Sequence, residues 1–199
     1  MDSYYTVNQG SLGTALKLFI QQQEAILNKQ TKRILNVSDE VLSKLAWQRD
    51  LPFVDIWHIE QKHIDHYEHV NNVAYVSQLE NLAWQHSNYL GLSMQEYRKL
   101  DRGMVIQQHV LNYQRAAHLH DKIACATWIV ACDQKFRLSR EFQFISLRTQ
   151  KTVFTAQTHF VCVSLSTGSP KRMPAEFVEV YGNAASKHIE THDSITAIK

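Results

Sequence analysis

The chain has 199 residues, of which 44% are hydrophobic and 20% charged, a composition typical of a globular protein with one sizeable core. The 21 lysines and arginines nearly balance the 19 acidic residues, which leaves a formal net charge of +2. This balance, without a long basic run, argues against nucleic-acid binding. Neither a signal peptide nor a membrane-length apolar stretch is recognisable, so we expect a cytoplasmic protein with no membrane span.

The first fifty residues predict a helical segment in front of the main domain. Apolar residues roughly follow helical spacing between positions 12 and 35. Ser38, Asp39 and Glu40 then resemble the capped start of a short second helix that runs through Trp47. We expect three parts: an N-terminal helical extension (1–50), a main domain (51–182) and a loosely held, polar C-terminal tail (183–199). The extension is expected to pack on the main domain or on a second subunit.

The main domain is predicted to contain one long helix and five strands. Residues 53–64 are rich in β-forming residues, whereas apolar residues recur at steps of three and four from Tyr75 to Leu90, which predicts a helix over 72–90. Gly91 is placed to terminate this helix, and Ser93 to cap a shorter one that stops before Gly103. Four long runs rich in Val, Ile, Thr and aromatic residues follow, and their short polar connections predict an antiparallel meander.

This order of elements indicates an α+β fold in which a five-stranded antiparallel sheet wraps around the long helix. In the third of the long runs, Leu138, Phe142 and Phe144 alternate with Arg137, Glu141 and Gln143. We therefore expect one face of that strand to be in water.

The stretch HIDHYEHVNN, residues 63–72, gathers more reactive side chains than any other part of the chain. Three histidines spaced three apart could supply metal ligands, but the stretch has no helical apolar stripe that would bring them together. Asp65 could act chemically, because free N–H groups at a helix start near Asn71 or Asn72 can stabilise an oxyanion beside an ionised carboxylate. An aspartate before a helix is more often simply a cap. These residues alone leave a metal site, a catalytic loop and a structural turn open.

The longer segment HIDHYEHVNNVAYVSQLENLAW resembles the signature of hotdog-fold thioesterases of the 4-hydroxybenzoyl-CoA thioesterase-like (YbgC/FadM-type) group. The matching features are Asp65, the HVNN motif at 69–72, Tyr75 and Glu80, and there is an echo of plant acyl-carrier-protein thioesterases. The resemblance continues in LNYQRAAHLHDKI and THFVCVSLSTGSPKRMP and covers roughly residues 52–178. Residues 1–50 have no counterpart in the short members of the group.

The resemblance implies a hotdog fold, an acyl-CoA substrate, and a homodimer or homotetramer with sites at the subunit interface. It implies Asp65 as nucleophile or general base, with N–H groups around Val70 to Asn72 polarising the thioester carbonyl. His69 matches a histidine of the plant enzymes and would support the site or orient the loop. Those enzymes have an asparagine where this chain has Tyr67. Asn71 and Asn72 would also hold the loop and cap the helix, and Tyr75 would form part of the core or the acyl pocket wall.

CoA carries phosphates, so basic groups near strand ends are expected to contact it. The candidates, each of which would otherwise be solvated surface, are Arg115, Lys135, Arg140, Lys171 and Arg172. The sequence shows neither a phosphate-cradling glycine loop nor a GxSxG elbow, and no HFPG-like dehydratase motif. We therefore expect hydrolysis of acyl-CoA to a free acid and CoA without metal or organic cofactor. The alternatives are a non-catalytic acyl-thioester-binding hotdog protein and a biosynthetic thioesterase that releases acyl chains from a carrier protein.

Overall fold

The computed structural model describes residues 39–196, with side chains described for residues 40–186. The helix predicted between positions 12 and 35 lies outside these residues. The chain divides into two units, residues 1–41 and 42–199, and every element from β1 onward belongs to the second. In chain order the elements are α1 (Asp39–Ser43), β1 (Phe53–His58), a 3-10 turn (Gln61–His63), α2 (Asn72–Tyr89), α3 (Met94–Lys99), β2 (Gly103–Tyr113), β3 (Lys122–Cys132), β4 (Arg137–Ser146), β5 (Thr152–Val163) and α4 (Ala175–Thr196).

The five strands form one antiparallel sheet in the order β1-β3-β4-β5-β2. Strands β3, β4 and β5 form a meander, in which Cys125 lies opposite Phe144 and Phe144 opposite Phe154. The predicted four-stranded meander is wrong for β2, which pairs with β5 and not with β3. The reason is that β1 already occupies the other edge of β3. All of β1, from Phe53 to His58, pairs with β3.

The central helix α2 confirms the predicted helix over 72–90 to within one residue. Its buried residues Tyr75, Leu79 and Leu82 recur at helical spacing and pack against aromatic side chains of β4 and β5 in the main core. The side-chain oxygen of Asn71 caps the helix by accepting the N–H two residues further on at 2.8 Å. After the helix, Gly91 has a φ of 90°, a conformation that glycine adopts without steric cost. The sheet wrapped on this helix gives the α+β hotdog fold.

The outer face of β4 is covered around Gln143, and the expectation that this face is in water is wrong there, whereas Arg137 at the start of the strand is exposed as expected. Gln143 is buried; its side-chain amide donates to the carbonyl of Ala46 at 3.1 Å and accepts the N–H of Gln48 at 2.7 Å. Beside it, Arg49 and Glu141 form an ion pair at 2.7 Å. The alternation of apolar and polar residues is real, but residues 42–50 cover the polar side through these hydrogen bonds, which the strand's own pattern does not reveal.

A C-terminal helix, α4, packs beside the sheet, and the sequence analysis did not predict it. It begins at Ala175 and ends at Thr196, so it runs through the boundary predicted at 182/183. Phe177 and Tyr181 are fully buried, and Ala185 is almost fully buried. Ala185 continues the apolar stripe of the helix beyond the predicted boundary. The polar residues between these positions obscured the stripe. Among the described helices, none is long and apolar enough to cross a membrane.

Candidate active site

The loop between β1 and α2 holds the carboxylate of Asp65 by backbone hydrogen bonds. Ile64 and Val70 form an antiparallel bridge that closes the loop, and the N–H of Asp65 donates to the carbonyl of His69 at 2.9 Å. One carboxylate oxygen of Asp65, Oδ1, accepts the N–H of Tyr67 at 2.8 Å and that of His69 at 3.4 Å. The other oxygen, Oδ2, has no hydrogen-bond partner in the described part of the chain. Asp65 is therefore fixed in place while one oxygen stays available.

The three N–H groups predicted to polarise a carbonyl differ in what they can still bind. The N–H of Val70 donates to the carbonyl of Ala117 at 2.9 Å, and that of Asn71 to the carbonyl of His63 at 2.8 Å. The N–H of Asn72 meets no acceptor among the described residues. Because Asn72 opens α2, its N–H also lies at the positive end of the helix dipole. Of the three, Asn72 retains the donor that a carbonyl oxygen can use.

Asp65 and Asn72 line the same cavity, which has a volume of about 290 Å³. Its remaining wall comes from the loop, the first turn of α2 and the end of β2 with the loop after it: His69, Val70, Tyr75, Tyr113, Gln114, Arg115, Ala116 and Ala117. The structure thus brings together every predicted site residue except Asn71, which caps the helix from outside this wall. Apart from Arg115, the wall residues from this strand end, Tyr113, Gln114, Ala116 and Ala117, were not singled out from the sequence, because they lie far from the loop along the chain.

The remaining predicted site residues have distinct surroundings. His69 is exposed, and its ring lies 5.0 Å from that of His118. Tyr75 is buried and stacks on Phe154 at 4.8 Å; burial raises the pKa of Tyr75 far above its ordinary value, so its hydroxyl stays protonated. Arg115 lies at the exposed rim and donates from Nη1 to the carbonyl of Thr152 at 2.7 Å.

The histidines of the loop do not converge on one point. His63 accepts the N–H of Glu60 at Nδ1, at 2.9 Å, and its ring packs edge-on against Trp57. Partial burial, the largest cause, lowers the pKa of His63. In the part of the chain that the structure describes, no three histidine, cysteine or acidic side chains are grouped as metal ligands.

Arg140 corrects one prediction, because it is neither solvated surface nor placed to meet a phosphate at the rim. Its side chain is 2% exposed, since position 140 shares the inward face of β4 with Phe142. It lines a second cavity, also of about 290 Å³, farther along α2. Lys135, Lys171 and Arg172 are exposed, as expected.

Comparison with known proteins identifies the family. Residues 59–180 match the model of the thioesterase-like superfamily, whereas no curated protein matches the sequence. A Staphylococcus aureus protein solved in complex with CoA superposes with a TM-score of 0.64 at 16% identity, over 71% of this chain and 89% of its own. A 1,4-dihydroxy-2-naphthoyl-CoA thioesterase from Synechocystis superposes with a TM-score of 0.60 at 15% identity, over 67% of this chain and 97% of its own. A 12:0-ACP thioesterase from Umbellularia californica superposes with a TM-score of 0.61 at 16% identity, over 69% of this chain and 55% of its own. These structures share the hotdog fold, and because the family model matches more than half of the chain, the chain belongs to the thioesterase-like superfamily.

Proposed function

We propose that the protein hydrolyses acyl-CoA thioesters to a free carboxylic acid and CoA, with Asp65 as the catalytic carboxylate. The observation that carries this proposal is the shared cavity of Asp65 and Asn72. One oxygen of Asp65 is held by backbone N–H groups and the other is available, while the N–H of Asn72 is available at the start of a helix. A nucleophile or base beside an unpaired donor is the arrangement that acyl transfer requires.

In this mechanism the thioester carbonyl oxygen accepts the N–H of Asn72. The helix dipole then stabilises the negative charge that develops on that oxygen during attack. In one route Asp65 attacks the carbonyl carbon and forms an anhydride with release of the CoA thiolate, and water then hydrolyses the anhydride to the free acid and restores the carboxylate. In the other route Asp65 removes a proton from a water that attacks the carbonyl carbon, and the CoA thiolate leaves. His69 contributes its backbone carbonyl, which fixes the N–H of Asp65, and thus orients the loop.

Two observations support CoA as the thiol carrier. The Staphylococcus structure contains CoA, and the Synechocystis protein is named for a CoA thioester. At the cavity rim Arg115 is exposed, and a guanidinium there can pair with a CoA phosphate. The alternative, release from an acyl carrier protein, is supported by the Umbellularia structure.

We further propose that the protein works as a homo-oligomer assembled through β2. This strand lies at the edge of the sheet, so its outer backbone groups have no partner strand among residues 39–196. Four large apolar or aromatic side chains of β2 are exposed: Val105, Ile106, Val110 and Tyr113. An edge with unpaired backbone and exposed apolar side chains favours pairing with a second copy of the chain.

The test is a hydrolysis screen across acyl-CoA chain lengths with the wild-type protein and Asp65→Asn. We expect Asp65→Asn to lower kcat by at least about a hundredfold, roughly 2.7 kcal/mol of barrier. Asp133→Asn is the matched control, because Asp133 also holds a loop by accepting three backbone N–H groups but lies outside the cavity. Near-normal turnover in folded Asp65→Asn would contradict the proposal. Activity on acyl carrier protein with none on acyl-CoA would favour the alternative.

A further inference from the structure

The hydroxyl of Tyr75 is a polar group in the wall of the candidate active site that the proposed mechanism does not use. Tyr75 is 3% exposed and lines the same cavity as Asp65 and Asn72. Within residues 40–186, no donor or acceptor lies at hydrogen-bond distance from this hydroxyl. Buried hydroxyls are nearly always hydrogen-bonded, because a buried polar group without a partner destabilises the folded state. A molecule that enters the cavity can supply the missing partner.

Aromatic packing holds the ring of Tyr75 in one orientation. The ring stacks on Phe154, with 4.8 Å between the centroids, and on Phe144, with 6.3 Å. The rings of Trp57 and Tyr113 meet it edge-on, each at 5.5 Å. Because other rings surround it in this way, the Tyr75 side chain cannot turn to bring its hydroxyl to another part of the protein.

Two polar groups near Tyr75 are hydrogen-bonded elsewhere. The carboxylate of Asp121 binds the guanidinium of Arg148 and a backbone N–H of its own loop. The thiol of Cys125 donates to a backbone carbonyl at 3.7 Å. Burial raises the pKa of the Tyr75 hydroxyl, so the group keeps its proton at neutral pH. Tyr75 therefore offers the cavity a neutral hydrogen-bond donor.

A short acyl group bound at Asn72 can reach this donor. Tyr75 follows Asn72 by three residues, roughly 4.5 Å along the axis of α2. Long side chains of a helix lean towards its N-terminus, so Tyr75 leans over the turn that Asn72 opens. The CoA moiety is too large for a cavity of about 290 Å³ and has to leave past the exposed rim, where Arg115 lies. The acyl group then points to the buried wall that contains Tyr75.

We propose that the preferred acyl group carries a further oxygen within a few carbons of the thioester, and that this oxygen accepts a hydrogen bond from the Tyr75 hydroxyl. Tyr75 is then the specificity-determining residue of the acyl pocket. This inference rests on the proposed function, which places the thioester carbonyl at the N–H of Asn72. A site built to hydrogen-bond a substrate oxygen discriminates against an analogue without it, because the buried donor then stays unpaired. A plain alkyl group leaves Tyr75 in that state.

The test compares hexanoyl-CoA with its 3-oxo, 4-oxo and 5-oxo derivatives, which carry a carbonyl oxygen at increasing distance from the thioester. Binding to the Asp65→Asn variant is measured by isothermal titration calorimetry, so that the result does not depend on turnover. We expect at least one oxo derivative to bind at least about tenfold more tightly than hexanoyl-CoA. Equal or weaker binding of all three derivatives would overturn the proposal.

Tyr75→Phe assigns the preference, because it removes the hydroxyl and keeps the stacked ring. Added to Asp65→Asn, it should bring the affinity ratio close to one. Tyr97→Phe is the matched control and should keep the parent ratio. Tyr97 is also buried, but it lies outside this cavity and its hydroxyl is hydrogen-bonded to that of Tyr181. A preference that persists in Tyr75→Phe would come from another donor, such as Tyr113, and would overturn the assignment.

Thermal unfolding without ligand tests the missing partner independently of any substrate. Tyr75→Phe should keep or raise the midpoint of unfolding, because it removes a buried polar group that has no partner. Tyr97→Phe should lower the midpoint by about 2–4 °C, since it removes the hydrogen bond to Tyr181. A fall of the same size in Tyr75→Phe would show that its hydroxyl is bonded within the protein, which would also overturn the proposal.

The outcomes separate this proposal from the proposed function. Hydrolysis of all four thioesters by the wild-type protein, without any preference in binding, would support the thioesterase and overturn the role of Tyr75. Preferential binding of an oxo derivative that is lost in Tyr75→Phe, by a protein whose wild type hydrolyses none of the thioesters, would support the role of Tyr75 and overturn the thioesterase.

Discussion

The N–H of Val70 donates to the carbonyl of Ala117 at 2.9 Å, and this bond joins the two loops that wall the candidate active site. The second loop is in turn held by Asp121, whose side chain is 7% exposed. Asp121 accepts the N–H of His118 at 3.0 Å and two guanidinium bonds from Arg148, at 2.8 and 3.2 Å. The geometry of the site therefore depends on a carboxylate that does not line the cavity.

We expect Asp121→Asn to destabilise the protein at neutral pH. Hydrogen bonding to Arg148, the largest cause, lowers the pKa of Asp121 in the folded protein. A lowered pKa means that the stabilisation is complete above the unfolded value of about 3.9 and is lost as pH falls through the folded value. The loss at pH 7 should be about 1–2 kcal/mol, at the lower end for a charged hydrogen bond because Arg148 is largely exposed. Urea unfolding between pH 2 and 7 measures it.

The variant should also lose part of the acid sensitivity of the wild-type protein. As pH falls below the unfolded value of about 3.9 and through the lower folded value, the two proteins should approach equal stability, because Asp121 becomes protonated in both states. A constant difference in the free energy of unfolding across the whole pH range would contradict this assignment.

Asn71→Ala is expected to lower both stability and turnover. Loss of the cap that Asn71 provides to the N–H of Val73 should cost about 1 kcal/mol. Because the same helix start presents the N–H of Asn72, kcat for acyl-CoA should fall about tenfold. Ser93→Ala is the matched control: Ser93 caps α3 by accepting the N–H of Glu96 at 3.3 Å, outside both cavities. Ser93→Ala should reduce thermal stability about as much as Asn71→Ala but should leave kcat unchanged. An equal fall in kcat in both variants would show that general destabilisation, and not the position of Asn72, lowers turnover.

Much of the fold could be predicted from the sequence because local patterns determine it. The helical spacing from Tyr75 to Leu90, the cap residue Ser93 and the terminating Gly91 each act within a few residues, and the structure confirms all three elements. Strand neighbours could not be predicted in the same way. Pairing of β2 with β5 depends on β1 having taken the edge of β3, which is a relation between segments distant in sequence.

The candidate site also has a part that local sequence predicts and a part that depends on segments distant in the chain. The loop from Asp65 to Asn72 was found from one continuous stretch, and its resemblance to a family supplied the proposed chemistry. Arg140 was misjudged because an arginine is usually exposed and nothing in its immediate sequence signals burial. Its position follows from the strand register and from packing of α2 and α4, where Ser87 and Tyr181 meet it.

Gln143→Leu is expected to destabilise the fold by about 1–3 kcal/mol. The side chain of Gln143 satisfies the N–H of Gln48 at 2.7 Å and the carbonyl of Ala46 at 3.1 Å, and leucine of similar size leaves both without that partner. Gln108→Leu is the control, since Gln108 is exposed on β2. Denaturant unfolding of the two variants should differ by this amount. Equal stabilities would show that water replaces the amide without cost.

Assembly through β2 predicts that a charge on its exposed edge disrupts the oligomer. Val110 is 41% exposed on β2 and lines neither cavity. In a paired edge Val110→Lys would bury an ammonium group against its symmetry mate, and repulsion between two such charges adds to the desolvation cost. Light scattering after size-exclusion chromatography should show a shift towards monomer at micromolar concentration. Met94→Lys is the matched control, because Met94 is also 41% exposed but lies on α3. A monomeric wild-type protein would contradict the proposed assembly. An oligomer that withstands Val110→Lys but not Met94→Lys would place the interface elsewhere.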